Sequence, residues 1–139
     1  MVEKLREYFN KQPRIGTLST ANREGMVDSA VFGSPMMTDE KTVVMALGNG
    51  RTLEYLNENP HAVYLIMEPG QSFDDWKGLR VYLKMTESAT SGEALETFRS
   101  RIAEMAGSEA AAMVYAAVTF TITEVRPLID MGQRWEESI

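Results

Sequence analysis

The chain has no cysteine and a single histidine, His61, in 139 residues. The first absence removes disulfides, thiolate nucleophiles and cysteine metal sites. With one histidine and no cysteine, histidine metal clusters, Ser-His-Asp triads and Cys-His dyads have little to work with. His61 directly follows Pro60 at the start of an apolar run and reads as structural or simply exposed, because a lone histidine becomes a general base only beside a reactive partner. Long apolar runs are also missing: the longest are about six residues, against the ~20 a membrane helix needs. Met1 to Pro13 carries Glu3, Lys4, Arg6, Glu7 and Lys11 and no apolar centre, so no secretion signal is read there and a cytoplasmic, membrane-free protein is expected. Excess positive charge is lacking too, with 14 basic against 20 acidic residues and a net charge of −6. That balance disfavours a broad nucleic-acid surface, and a phosphate site must be local. The adjacent pairs Asp74-Asp75 and Glu136-Glu137 point apart in either regular structure and read as solvated charge, not as a catalytic carboxylate pair.

What is present is ordinary for a globular chain: 44% apolar and 24% charged residues. At this length one domain, spanning 1–139, buries roughly 68–70% of its unfolded surface, enough for one core. Leu5, Tyr8 and Phe9 share a helical face before Pro13. Ile15 to Thr20 and Met26 to Phe32 read as a hairpin joined through Gly25, followed by a corner at Gly33-Ser34-Pro35. An apolar strand runs from Thr42 to Leu47 and another from Ala62 to Met67. From Leu79, clean alternation through Thr86 marks a half-buried strand. Thr90 and Glu93 have capping-box spacing ahead of a helix over 91–106, and Ser108 can cap a shorter turn through Ala112. Val118, Phe120 and Ile122 alternate with threonines in a last strand that Pro127 ends. Ten methionines form no stripe and read as core filler, whereas Trp76 and Trp135 fall in polar segments expected to be exposed, as a ligand lid or an interface. Pro69 to Gly78 reads as a functional loop or a disordered excursion. Six or seven strands, mostly hairpin-linked, with one short and one longer helix, favour a small antiparallel barrel with peripheral helices over a parallel sheet.

The chemistry concentrates at Gly48-Asn49-Gly50-Arg51-Thr52. Asn-Gly between apolar runs is a hairpin signal, but Leu53 and Leu56 continue as a two-turn helix up to Asn59-Pro60, with Thr52 or Asn49 able to cap it. A glycine corner that opens a helix with Arg and Thr presents backbone N–H groups, a positive dipole end and a cation together. On physics alone the corner is either a phosphate cradle or a tight bend.

The order Ile15–Thr20 … Gly25, Val27–Phe32, Val43–Leu47 with Gly48–Thr52, Leu56-x-x-Asn59-Pro60 before Ala62–Met67, and Lys77–Val81 resembles the pyridoxamine 5′-phosphate oxidase-like FMN-binding split barrels, in particular their short single-domain members. The resemblance implies a mainly β chain: a six-stranded antiparallel Greek-key split barrel with peripheral helices, paired as a homodimer with one FMN per subunit in clefts between the chains. It places Arg51 and Thr52 on the FMN phosphate, Ser29, Ala30 and Val31 along the isoalloxazine edge, and Leu47, Gly48 and Asn49 beside the ring or ribityl chain. The segment from Met113 to Tyr115 of the second subunit would cover the flavin. Full pyridoxamine-phosphate oxidases differ in having a glutamine where Gly78 stands and an Arg-x-His substrate motif near the C terminus, whereas Pro127 to Trp135 here holds no histidine. The resemblance thus implies a flavin site without the vitamin-B6 substrate site. The expected function is an FMN-dependent oxidoreductase or electron-transfer protein working with a small-molecule or protein redox partner. The alternatives are a flavin-binding or storage module without turnover, a dimeric scaffold whose site has decayed, and a split barrel that binds the deazaflavin F420 or haem. The choice of reaction is expected to lie in the Pro69–Gly78 loop and the partner subunit.

Overall fold

The computed structural model describes residues 2–139. Helix α1 (Val2–Asn10) leads into strands β1 (Ile15–Ala21) and β2 (Val27–Val31), which form the expected antiparallel hairpin with Gly25 at φ 85° in its turn. After the Gly33–Pro35 corner come a two-residue strand β3 (Met36–Met37), β4 (Thr42–Leu47), helix α2 (Arg51–Glu58) and β5 (His61–Glu68). Strand β6 (Lys77–Ala89), helices α3 (Glu93–Ala106) and α4 (Ser108–Ala112), and β7 (Ala116–Pro127) complete the order.

All strand pairings are antiparallel, in the order β2-β1-β5-β6-β7-β4-β3. The sheet curls into a split barrel with seven strands, within the six or seven read from the pattern and one more than the resemblance implied, because Met36 and Met37 pair with Val44 and Val43. Register shifts at Tyr82/Leu83 and Met85/Glu87 bend the long β6–β7 ribbon, as bulges do. In the corner between β2 and β3, the Ser34 hydroxyl donates to the Ala46 carbonyl at 3.3 Å.

The core is the barrel interior, where the alternate residues Leu18, Val43, Met45, Tyr64, Val81, Leu83 and Phe120 are buried. Helix α1 packs Leu5 and Phe9 into it, with the Phe9 and Tyr64 rings 5.5 Å apart. Gly16 makes room for Tyr64: a β-carbon there would lie 2.0 Å from the Tyr64 hydroxyl, which donates to the Phe32 carbonyl at 2.6 Å. Met37 and Met45 do fill the core, but Met26, Met105, Met113 and Met131 are exposed, so the methionines serve two environments.

Local expectations change at the caps of α3 and α4 and at Trp135. Glycine, not Thr90, occupies the N-cap of α3: Gly92 has φ 106°, which makes Glu93 the first helical residue and leaves no capping box. Gly107 likewise precedes α4 with Ser108 inside it. The Pro69–Gly78 loop is ordered by a 3₁₀ turn at Phe73–Asp75, with Asp75 N–H bonded to Ser72 carbonyl at 3.0 Å. Trp135 is not exposed but packs half-buried against the core, in a tail held by Ser138, whose hydroxyl donates to the Gly78 carbonyl at 2.8 Å.

Candidate functional site

Strand β4 ends at Leu47, the chain turns through Gly48-Asn49-Gly50, and α2 begins at Arg51. Leu53, Tyr55 and Leu56 bury one face of α2, which fixes the helix against the barrel. Its C-terminus closes where Asn59 N–H meets the Tyr55 carbonyl at 2.8 Å. Its N-terminus stays open. Gly50 is the N-cap in an extended conformation with no side-chain cap, so neither Asn49 nor Thr52 fills the role expected of them. The first helical bond runs from Glu54 N–H to Gly50 carbonyl at 3.1 Å, which leaves the N–H groups of Arg51, Thr52 and Leu53 without an intrahelical acceptor.

A cavity of about 380 Å³ opens at this N-terminus, lined by Phe32, Leu47, Gly48, Asn49, Gly50, Arg51, Thr52 and Met113. Six of the nine residues singled out in the sequence therefore meet in one place. The other three, Ser29, Ala30 and Val31, lie on β2 outside the lining. Phe32, just beyond the end of β2, is in the lining; Asp28 of β2 is outside it, with its Oδ1 3.7 Å from Arg51 Nη1. That contact is longer than a hydrogen bond, and the Arg51 side chain is 67% exposed, so the guanidinium keeps its donors free. Met113 lines the cavity from the same chain, whereas the resemblance implied the segment of the second subunit. The ends of the α3–α4 segment set its position: Tyr115 N–H donates to the Leu47 carbonyl at 2.8 Å, and the Met113 carbonyl lies 3.4 Å from where a Gly48 β-carbon would stand. At Gly50 a β-carbon would have nothing within 4 Å, so the corner is bordered by open space.

Sequence reasoning placed Gly50 in the corner without singling it out as a contact, and it missed Phe32, Asp28 and, at longer range, Arg14. The Arg14 guanidinium donates to the carbonyls of Phe9, Gly33 (2.8 Å) and Pro35 (2.7 Å), and so fixes the chain that carries Phe32. Burial pulls its pKa below the ordinary arginine value, with Tyr64 opposing that shift. Asp28 had a visible signal, as the one carboxylate in an otherwise uncharged strand. Arg14 had none, since its acceptors are backbone carbonyls up to 21 residues away.

A second cavity of about 490 Å³ beside the C-terminal tail also holds arginines. There Arg126 pairs with Glu124 and Asp130, and Arg134 lies 4.0 Å from Glu136, so both cations already face carboxylates. Hydrogen bonds from Arg126 hold the Asp130 carboxyl below its usual range. His61 lines neither cavity. Among the described residues no group of three or more histidine, cysteine or acidic side chains could hold a metal, and no helix is long and apolar enough to cross a membrane.

No curated protein matches the chain significantly. Among solved structures, it is similar to an FMN-binding protein from Syntrophomonas wolfei subsp. wolfei, with TM-score 0.79 and 23% identity over 92% of this chain and 86% of that one. It is also similar to an F420 reductase (TM-score 0.63, 12% identity, 86% of this chain and 94% of that one). A third likeness is to HutZ, the haem-storage protein from Vibrio cholerae (TM-score 0.62, 13% identity, 95% and 99%). At these identities the structures agree on the fold. Residues 1–128 match the sequence profile of the pyridoxamine 5′-phosphate oxidase family, and the chain belongs to that family.

Proposed function

We propose that the protein is an FMN-binding redox flavoprotein that holds the flavin phosphate at the Gly48–Thr52 corner. The observation that carries this reading is the open N-terminus of α2, where uncapped N–H groups, the exposed Arg51 guanidinium and Thr52 line one cavity. A dianionic phosphate gains there from a guanidinium, a hydroxyl donor and a helix dipole together. The space beside Gly50 and a cavity of about 380 Å³ suit a ligand of cofactor size.

A bound flavin would supply hydride or electron transfer, and the protein's part is placement and electrostatics. Arg51, Thr52 and the α2 N–H groups bind the phosphate. Leu47, Phe32 and Met113 give apolar walls that shield a ring from water. Strand β2 is an edge of the sheet, so one side of its backbone lacks a strand partner, and Ser29–Val31 can offer N–H and carbonyl groups to ring heteroatoms. The cavity lining includes no carboxylate or histidine, which agrees with chemistry that asks for no protein acid or base.

The site is completed in a homodimer. Ile15, Val27 and Val31 are exposed on the β1–β2 edge, where Val27 pairs with Ala21 and Val31 with Thr17, and an apolar strand edge of this kind calls for a partner surface. The vitamin-B6 oxidase reaction is not part of the proposal. Gly78, which replaces the family's glutamine, has φ 150°, and a β-carbon on it would lie 2.0 Å from the Ile66 carbonyl oxygen, so no side chain fits there.

The absorbance spectrum of the purified protein and the mass of its extracted cofactor test the reading. Flavin bands and the mass of FMN are expected; colourless protein that takes up no added FMN would overturn it. Extracted F420 or haem would instead favour the other cofactors bound by split barrels. Reduction of bound flavin by NADH or NADPH, with reoxidation by an acceptor, separates an oxidoreductase from a storage module.

A further inference from the structure

We infer that the groove between the C-terminal half of α3 and the Gly33–Met36 segment binds an amphipathic organic anion, an apolar body bearing one carboxylate or similar oxyanion. The groove has a volume of about 760 Å³, larger than the corner cavity, and shares no residue with it. Phe98, Ile102 and Met105 recur at four- and three-residue steps, so one face of α3 forms one wall, and Pro13, Pro35 and Met36 form the other. Met105 remains 78% exposed, so the barrel core does not use this end of the face.

The far wall is preformed. Arg14 holds the carbonyls of Gly33 and Pro35, while the Asn10 amide exchanges two hydrogen bonds with the Met37 backbone, at 2.9 and 2.8 Å. A wall already rigid spares a ligand the entropy of ordering it. The groove's one cation is Arg101, whose guanidinium carbon lies 5.6 Å from the Phe98 ring centroid and whose Nη1 is 3.7 Å from Met36 Sδ. Among the described residues Arg101 joins no ion pair, whereas its neighbour Arg99 binds Glu96 at 2.8 Å. An arginine flanked by a thioether and an aromatic ring, with only a weak hydrogen bond to that thioether and no oxygen acceptor among the described residues, matches an oxyanion head group. The apolar walls match an apolar body. A polyanion such as a nucleotide would find one cation and a hydrocarbon surface, and a neutral apolar ligand would leave Arg101 without a partner. The exposed apolar residues of β1 and β2 proposed for the dimer are not in the groove, so the two surfaces are independent.

The test uses the purified full chain and anilinonaphthalene sulfonate as a fluorescent probe, with decanoate and decanol as competitors. Saturable one-to-one binding is expected, displaced by decanoate well below the concentration at which decanol acts. Arg101→Gln should weaken decanoate at least about tenfold, the usual loss for a hydrogen bond to a charged group. Ile102→Trp, which fills the groove, should abolish probe binding, and both variants should keep the parent's circular dichroism and FMN affinity. If Ile102→Trp does not fold, the Arg101→Gln comparison decides alone. Non-saturable probe binding, equal displacement by decanol, or an unchanged decanoate affinity in Arg101→Gln would overturn the inference. So would light scattering in which decanoate changes the oligomeric state, because the groove would then be an interface between copies.

Discussion

Tyr64 shows how much one side chain organises. Its ring is fully buried against Phe9, its hydroxyl holds the Phe32 carbonyl, and the Arg14 guanidinium lies 5.3 Å from its ring centroid. All of this depends on the missing β-carbon of Gly16, so Gly16→Ala is expected to lower stability by about 1–3 kcal/mol through overpacking, read as a fall in melting temperature. Residue identity alone disclosed some of this network and hid the rest. The place of Arg51 and Thr52 at a helix start beside a cavity was legible from the glycine corner that precedes them. Gly16 and Arg14 were not, because their partners lie far along the chain: Tyr64 pairs with Leu18 in the β1–β5 register and reaches Gly16 diagonally, and Arg14 is satisfied by backbone carbonyls that carry no sequence signature.

Among the elements, α1 is held to the barrel by a polar tie as well as by Leu5 and Phe9. The Tyr8 hydroxyl donates to Glu68 Oε2, and Lys11 Nζ lies 3.2 Å from Glu68 Oε1. The hydrogen bond from Tyr8, with help from Lys11, lowers the Glu68 pKa below its ordinary 4.5, while burial and the same bond raise that of Tyr8. A carboxylate with a depressed folded pKa stabilises fully above its unfolded value and loses that contribution as pH falls through the folded one. Glu68→Gln is therefore expected to cost about 0.5–1 kcal/mol at neutral pH, the lower range because Glu68 is part-exposed. Denaturant melts of the two proteins should diverge above pH ~4.5 and converge in stronger acid. Element types were read well from periodicity: α1, the β1–β2 hairpin, β4, α2, β5 and α3 fall where the apolar spacing put them. Caps were read less well, since Gly50, Gly92 and Gly107 took positions that nearby Thr, Asn and Ser could have filled. Polar cap residues compete locally, and the course of the chain into each helix decides which one wins.

At the scale of the molecule, the pairings that close the barrel join distant segments: β1 with β5, and β4 with β7. Hairpins follow from turns and adjacent patterns, but these two pairings follow from which faces must be buried together, and the sequence reading named neither of them. The β1–β2 edge is the surface proposed for dimerisation, so Val27→Lys with Val31→Lys should turn a dimer into a monomer in light scattering; a parent already monomeric at micromolar concentration would remove the intersubunit flavin site. The most direct test of the central claim compares the affinities of FMN and riboflavin, which differ by the phosphate alone, in the parent and in Arg51→Ala. FMN should bind the parent more tightly by roughly 10- to 150-fold, equivalent to about 1.5–3 kcal/mol, with the preference nearly lost in Arg51→Ala at an unchanged melting temperature. Equal affinity for the two flavins, or an Arg51→Ala variant that keeps the full preference for FMN, would contradict a phosphate site at the Gly48–Thr52 corner.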